Sequence, residues 1–585
     1  MNTITKNNPL QILFLGLLLL VTVGFCGGAF NPTITAGLMS LFTLSCLPLL
    51  KRNGLPTLPI IGLVIACSYV GVLAFTSSAP YYSKQDWFTL LIYAVTSIGM
   101  LAVLKDSINR EKVCRMIRWF GCILAVFALL QFVTGNETIF SLLGQIKNKY
   151  PGRIAVVFLN PNYLGEFCAV SLVLAFVSFI GQSTPKKAKY IAEFALLLVA
   201  ITLSGSRGAV LASWVGLILA AILANKTAAR RRTLYVTVLL VSQFILLFSQ
   251  GNAVNRTKTI LTVAKPNVLA NDHGESIRWS CWRGALKLWK QNPVEGIGPK
   301  LFTVRWHEVQ PDNVQGNAFR VHSLWIQTLC EYGMLGLGLL LVGLGYLGRI
   351  VWLNKRRLDT TQLAGACGLA AMLGYETFDY SFYTPTFGIL VITFVSLILS
   401  SVPYAQRLIT PIYILLTCTL CWMGYSLLTS YHEGQFVQQA FAATDTKTIR
   451  TKLVEAQRCQ PENDSIQLWS ARLEAKLQMA IQPEHRDWAM TQRHVLAGLA
   501  VNPFALELKY IAAVSYFAQD PQLSEAYIQE LNLHAPHSCK AAGLTYSYYN
   551  FTGNLTKAKQ WEVEMNRLLQ FKPDLANNPG NTEFQ

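Results

Sequence analysis

Apolar runs close to 20 residues long, separated by short clusters of Lys and Arg, recur through the first three quarters of this chain. They are Leu10–Phe30, Thr33–Leu50, Pro59–Phe75, Trp87–Leu104, Phe120–Val133, Ile154–Ile180, Tyr190–Leu203, Ala209–Leu223, Leu234–Phe248, Ser323–Tyr346, Gln362–Leu373, Pro385–Val402 and Leu408–Leu428. Runs of that length match the hydrocarbon thickness of a bilayer when helical, and in lipid only a helix or a closed barrel satisfies every backbone polar group. The expected fold is therefore all-α: a polytopic membrane helix bundle of about 13 spans. Only 14% of the residues are charged, which agrees.

The formal net charge of +18 would suggest nucleic acid in a soluble chain, but its distribution says otherwise. With the N-terminus inside, the clusters at Lys51, Lys105, Lys186, Arg230, Lys355 and Arg407 all fall on the cytoplasmic side. The turn at Arg207, the long loop 249–321 and everything after about 429 then fall outside. One orientation satisfies every cluster, as positive-inside anchoring to an anionic leaflet requires. No nucleic-acid partner is expected; the basic residues meet membrane lipids.

Residues 430–585 change character to mixed polar and apolar with helical spacing. Proline follows three similar helix ends, in RHVLAGLAVNP (493–503), LNLHAP (531–536) and LQFKP (569–573). That recurrence, near 34 residues, predicts a TPR-like domain of helical hairpins with a surface suited to a peptide or protein. The domains are thus 1–429, a membrane bundle with its loop 249–321, and 430–585. Most of the thirteen cysteines lie in apolar runs, where packing explains them. Cys459 and Cys539 lie in the polar region; a disulfide between them and two free thiols are equally open readings.

The unusual polar residues gather on the outer side. His322 stands where the loop enters an apolar helix, and Ser323, Gln327 and Glu331 follow at i, i+4, i+8 as a stripe that should face a bundle interior. Arg207, between two membrane helices and flanked by Gly205 and Gly208, gains nothing from positive-inside anchoring; it meets a lipid phosphate or a bound anion. In Glu275–Phe302, Arg278, Trp279, Trp282, Leu286 and Trp289 have helical spacing, a Trp-rich helix suited to a membrane surface. Arg278 carries the planar fork that matches phosphate oxygens, and Arg283 pairs in spacing with Lys287. Arg153, Asn160, Pro161, Asn162 and Glu166 interrupt an apolar run, as in a broken helix lining a cavity. Glu376, Asp379, Tyr380 and Tyr383 follow the eleventh run and either meet that cavity or cap helices. Cys418 and Cys421 have redox-like spacing but lie in an apolar run, and neither His273, His307 nor any Cys/His pair has the short spacing of a zinc site, so neither metal nor cofactor is expected.

The elements NPN-YLGEF, SGSRGA, RWSCW with NPVEGIGPKLF, and VHSLWIQTLCEYGMLG resemble the bacterial O-antigen ligase/polymerase superfamily over roughly residues 150–400. With the helical C-terminal region, the chain is most similar to PglL-type protein O-oligosaccharyltransferases. The resemblance implies a metal-independent glycosyltransferase of the inner membrane, with its active site on the periplasmic side. It would move a preassembled glycan from undecaprenyl pyrophosphate to Ser or Thr of pilins and other periplasmic proteins, the acceptor being held by residues 430–585. It also implies that His322 is the essential histidine and that Arg207 and Arg278 hold the donor pyrophosphate. Arg153, Asn160, Asn162, Arg283, Asp379, Tyr380 and Tyr383 are candidates for glycan or acceptor contact. Asn160 stands where such enzymes often have Gln, and Asp379–Tyr383 departs from the expected His-Ser-x-x-Glu-Tyr-Pro-Leu. A ligase with lipid A–core as acceptor, or a repeat-unit polymerase, is the alternative. A lipid-linked glycan transporter fits less well, because the charges gather at one interface rather than at mid-membrane.

Overall fold

The computed structural model describes residues 11, 15, 16, 32–135, 138–141, 144–147, 150, 152–158, 160–181, 187–223, 236–243, 275–312, 314, 317–405 and 409–571. The first apolar run, the Arg230 cluster, Lys186, Arg407, most of the ninth run and residues 249–274 of the long loop lie outside them. Helices dominate, as expected of an all-α membrane protein. Five are long and apolar enough to cross a membrane: Thr57–Thr76, Pro80–Leu104, Ser107–Thr134, Pro161–Ile180 and Leu324–Asn354. Arg207–Leu223 and Pro385–Leu399 are shorter and equally apolar. The thirteen-span expectation also counts runs outside the described residues. One departure from pure helix is a small antiparallel hairpin, Thr138–Ser141 with Gly144–Lys147, inside the polar excursion after the fifth run.

Helix α1 (Pro161–Ile180) is the axis of the bundle. It is apolar on every face, and a helix of that kind finds stability only when surrounded. It packs against α2 (Lys187–Ser204), α3 (Arg207–Leu223) and α4 (Thr360–Tyr375), and nearly all its side chains are buried. Small residues set the closeness: a Cβ on Gly165 would lie 2.5 Å from Ser204 Oγ, and one on Gly216 3.0 Å from the Cys367 carbonyl.

Polar contacts sort the helix ends into two groups. At one end Arg110 bonds Asp359 at 2.8 Å and Thr361 at 3.1 Å, Lys105 reaches the Ser400 and Val402 carbonyls, and Leu55 pairs with Ala405. These ends adjoin the basic clusters at Lys51, Lys105 and Lys355, which sit together as one orientation demands. The opposite end holds residues 77–79 with the start of the helix Pro80–Leu104, Arg153, the 204–208 turn, His322 and 376–384.

The loop segment after residue 274 builds a core of its own. Helix α5 (Glu275–Trp289) buries Cys281, Ala285 and Leu288 against Phe302, Trp306, Val321 and Cys330, while Trp279 and Leu286 stay exposed. Of the expected Trp-bearing face only Trp279 is turned fully outward; Trp282 packs against this core, and Trp289 is partly buried. Helix α6 (Leu324–Asn354) follows; it breaks at Gly333, φ 64° and ψ −167°.

The change of composition near residue 429 falls inside one continuous helix, Ile409–Ala442. Beyond it, seven helices between Thr446 and Phe571 pack on their chain neighbours. Three end at Val501, His534 and Phe571, just before the prolines noted above. Cys459 and Cys539 are not joined by a disulfide. They belong to different helix pairs with separate small cores, one around Leu453 and Ala456, the other around Ala542 and Leu568.

Candidate functional site at the mouth of the bundle

The entry to α1 is not a kinked helix but a loop that ends in a cap. Val156 takes a left-handed φ of 57°, its N–H held by Gln131 Oε1 at 3.0 Å. The Asn160 side chain accepts from Asn162 N at 2.9 Å, and Pro161 occupies the first helical turn, where its missing N–H costs nothing. Asn160 therefore closes the helix, while Asn162, two residues on, points to the site. Its amide accepts from Arg153 and donates to Asp379 Oδ2 at 3.3 Å. Arg153 Nε also donates to the Ser204 carbonyl at 2.8 Å, tying this loop to the 204–208 turn.

That turn is where Arg207 opens α3. Gly205 has φ 60°, and a Cβ there would meet the Arg153 side chain at 3.2 Å. Gly208 lies against the Tyr375 ring, whose hydroxyl donates to Asp379 Oδ2 at 3.0 Å.

Asp379 is the hub. Besides Tyr375 and Asn162, it receives Arg278 Nη2 at 3.2 Å and lies 3.5 Å, Oδ1 to Nδ1, from His322. Its side chain is 5% exposed, whereas His322 and Arg278 retain 22% and 32%. A buried carboxylate without partners would take up a proton. Here burial does work against ionisation, but the His322 contact, the Arg278 charge and the Tyr375 hydroxyl outweigh it and hold the Asp379 carboxyl below its ordinary range. The site thus presents an anion at its base and a half-exposed guanidinium and imidazole above it. Tyr380 packs edge-on against the His322 ring, 4.5 Å between centroids.

His322 itself has φ 60°. Trp282 Nε1 donates to its carbonyl at 3.2 Å, the Gln327 side chain accepts from Val321 N at 2.7 Å, and Leu324 N reaches the Glu376 carbonyl at 2.8 Å. Ser323, Gln327 and Glu331 are all buried, the stripe facing inward as expected. Tyr383 does not join Asp379; its ring lies beneath the Arg320 guanidinium at 3.6 Å. Arg283 is exposed, roughly 140° around α5 from Arg278 by helical geometry, and is not brought to the cluster.

Several participants were not among the candidates. Tyr375 ends an apolar run and carried no signal. Ser381 Oγ bridges two fully buried carboxyls, within hydrogen-bond distance of Glu166 Oε1 at 3.0 Å and of Glu376 Oε1; its single proton serves one of them at a time. Arg320 pairs with Asp86 in the first turns of the helix Pro80–Leu104; its position two residues before His322 was a usable hint, but nothing in the sequence named its partner.

These elements define a polytopic helical membrane protein with a cationic, carboxylate-backed site at one mouth of its bundle. Residues 192–341 match the family model described as O-Antigen ligase, so the chain carries a domain of the O-antigen ligase family. The matched span contains Arg207, Arg278 and His322, and leaves Arg153, Asn162 and Asp379 outside it. No curated protein matches the chain.

Proposed function

We propose that this protein transfers a preassembled glycan from undecaprenyl pyrophosphate to Ser or Thr hydroxyls of periplasmic proteins such as pilins, at the inner membrane's outer face. The observation that carries the reading is the sharing of one buried carboxylate, Asp379, by Arg278 and His322. It holds a phosphate-binding fork and a proton acceptor side by side, one residue's reach from the turn that bears Arg207.

Lipid-linked pyrophosphate leaves readily once its charge is neutralised. Arg207 and Arg278 stabilise the charge that develops on the departing phosphate, in a site poor in water. His322, its Nδ1 toward Asp379, offers Nε2 to the acceptor hydroxyl. The hydroxyl oxygen bonds the anomeric carbon, its proton passes to His322, and the sugar–phosphate C–O bond breaks with its electron pair going to the phosphate. A single displacement inverts the anomeric configuration. A positioned base of this kind contributes ~10²–10⁴-fold.

A protein acceptor is favoured by the docking of the C-terminal helices onto this same end. Lys84 bonds Glu462 at 2.7 Å and Tyr82 bonds Asp464 at 3.0 Å; His534 meets Glu308 at 3.1 Å, and Arg567 pairs with Asp312. A ligase acting on lipid A–core has no need of that array. Mass spectrometry of periplasmic proteins, with and without this chain, in a host that makes the lipid-linked glycan distinguishes the two. Glycosylated Ser or Thr peptides are expected only with the chain; glycan found solely on lipid A–core supports the ligase instead.

A further inference from the structure

His322 sits at a left-handed φ of 60°, a conformation that costs a non-glycine residue about 1–3 kcal/mol and persists only where its surroundings enforce it. The residues on its C-terminal side are held by α6. Those on its N-terminal side close a long loop; Val321 N is held by Gln327 of α6, and an ion pair ties the neighbouring Arg320 to a different helix of the bundle. Arg320 reaches across to the helix Pro80–Leu104 and grips Asp86 through both guanidinium ends, Nη1 to Oδ2 and Nη2 to Oδ1, each at 3.2 Å. The side chains are 12% and 7% exposed, and the Tyr383 ring covers the guanidinium face at 3.6 Å. A two-pronged pair of this kind fixes orientation as well as distance, which a single charge contact does not. Asp86 stands 234 residues from Arg320 and shares no hydrogen bond with Asp379, so the pair is a second clamp on the segment that presents the imidazole.

Resting on the transfer reading above, we propose that Asp86 is a positioning residue for His322, acting through Arg320. It touches no substrate; its removal lets residues 320–322 relax from the left-handed turn and moves the imidazole off line from the acceptor oxygen. Misplacement of a reacting group by about 1 Å costs on the order of 10²-fold. The defect belongs in kcat, since the donor is gripped by Arg207 and Arg278.

The test uses the full chain in nanodiscs with a fluorescent undecaprenyl-pyrophosphoryl disaccharide and a Ser-containing pilin peptide. Asp86→Asn should lower kcat roughly 10–100-fold with donor KM within about twofold. Asp86→Glu should recover most of the loss. The double variant Asp86→Asn/Arg320→Gln should be no slower than the slower single one, because both break one clamp. The rate at which diethyl pyrocarbonate modifies His322 should change in Asp86→Asn and return in Asp86→Glu, a readout independent of turnover. Should Asp86→Asn fail to fold, the Asp86→Glu and Arg320→Lys variants carry the same comparison. Wild-type kcat and unchanged His322 labelling in Asp86→Asn, or a raised donor KM with kcat intact, overturns the proposal. If instead His322→Ala retains full transfer, the transfer reading itself fails, whatever Asp86 does.

Discussion

At the level of single residues, the site is built on conflicts that neighbours resolve. His322 holds a strained backbone, so His322→Gly removes strain and chemistry together. We expect its thermal transition to rise, consistent with relief of about 1–3 kcal/mol, while transfer falls ~10²–10⁴-fold. A fall in stability with activity retained would contradict both statements. Asp379→Asn keeps the shape of the hub but removes the charge that orients His322 and Arg278. Transfer should drop by at least ~10-fold, the loss of a charge-assisted contact being worth about 1.5–3 kcal/mol. The pH dependence follows from the sign of the shift. A carboxyl held below its usual value of about 3.9 contributes stability that is complete above that value and fades as pH falls through the lowered one. The stability difference between wild type and Asp379→Asn should therefore be flat from neutral pH down to about 4 and shrink only below it.

Residue by residue, the sequence showed the chemistry better than the wiring. Arg207 stood out because a cation at a membrane mouth gains nothing from positive-inside anchoring, Arg278 for its planar fork, and His322 for its place where the loop enters a polar-striped helix. Asp379 stood out as a polar residue after an apolar helix, but its role as the common partner of Arg278 and His322 was invisible across 101 residues to Arg278. Asn160 shows a local ambiguity: a residue before Pro at a helix start serves as a cap, and its Oδ1 does so here, a use that spacing alone does not reveal.

Among elements, the junction of α5's trailing loop with α6 is the sharpest constraint. Segment 293–298 runs beside the break at Gly333, with Ile297 N to Cys330 O at 2.9 Å, Gly298 N to Glu331 O at 3.0 Å, Met334 N to Pro293 O at 3.0 Å and Leu335 N to Val294 O at 3.2 Å. The backbones approach so closely that a Cβ on Gly333 would lie 2.1 Å from the Val294 carbonyl oxygen. Gly333→Ala should cost at least ~1–3 kcal/mol from its φ alone and more from the clash, read as a lowered thermal transition and loss of transfer. A neutral result would show that the loop docks elsewhere. The motifs VEGIGPKLF and EYGMLG were readable as separate pieces. That their glycines meet each other is a tertiary fact, which composition and spacing do not carry. The helices themselves were legible because burial in lipid and burial in protein both demand continuous apolar runs; the hairpin at 138–147 lay in a polar stretch with no such period.

For the whole molecule, the gathering of the basic clusters at Lys51, Lys105 and Lys355 at one end was legible, since positive-inside anchoring acts along a whole chain. The docking of the C-terminal helices was not, because its contacts join residues 226 to 382 positions apart. Glu308 anchors part of it: burial opposes its charge, but His534 and Arg305 hold its carboxyl below the ordinary range. In Glu308→Gln/Asp312→Asn, hydrogen exchange should quicken in residues 521–571, and transfer to a peptide should fall several-fold while the donor remains bound. Unaltered exchange would show that the contacts of Tyr82 and Lys84, in the first turns of the helix Pro80–Leu104, suffice to hold the domain.

The account rests on His322 acting beside two donor-binding arginines in protein glycosylation. Purified wild type and His322→Ala, reconstituted with a labelled undecaprenyl-pyrophosphate glycan and a pilin peptide, test it in one assay. The prediction is labelled peptide from wild type and a loss of ~10²–10⁴-fold from a folded His322→Ala variant. Equal peptide labelling by both proteins, or none by an intact wild type that instead labels lipid A–core, would contradict it.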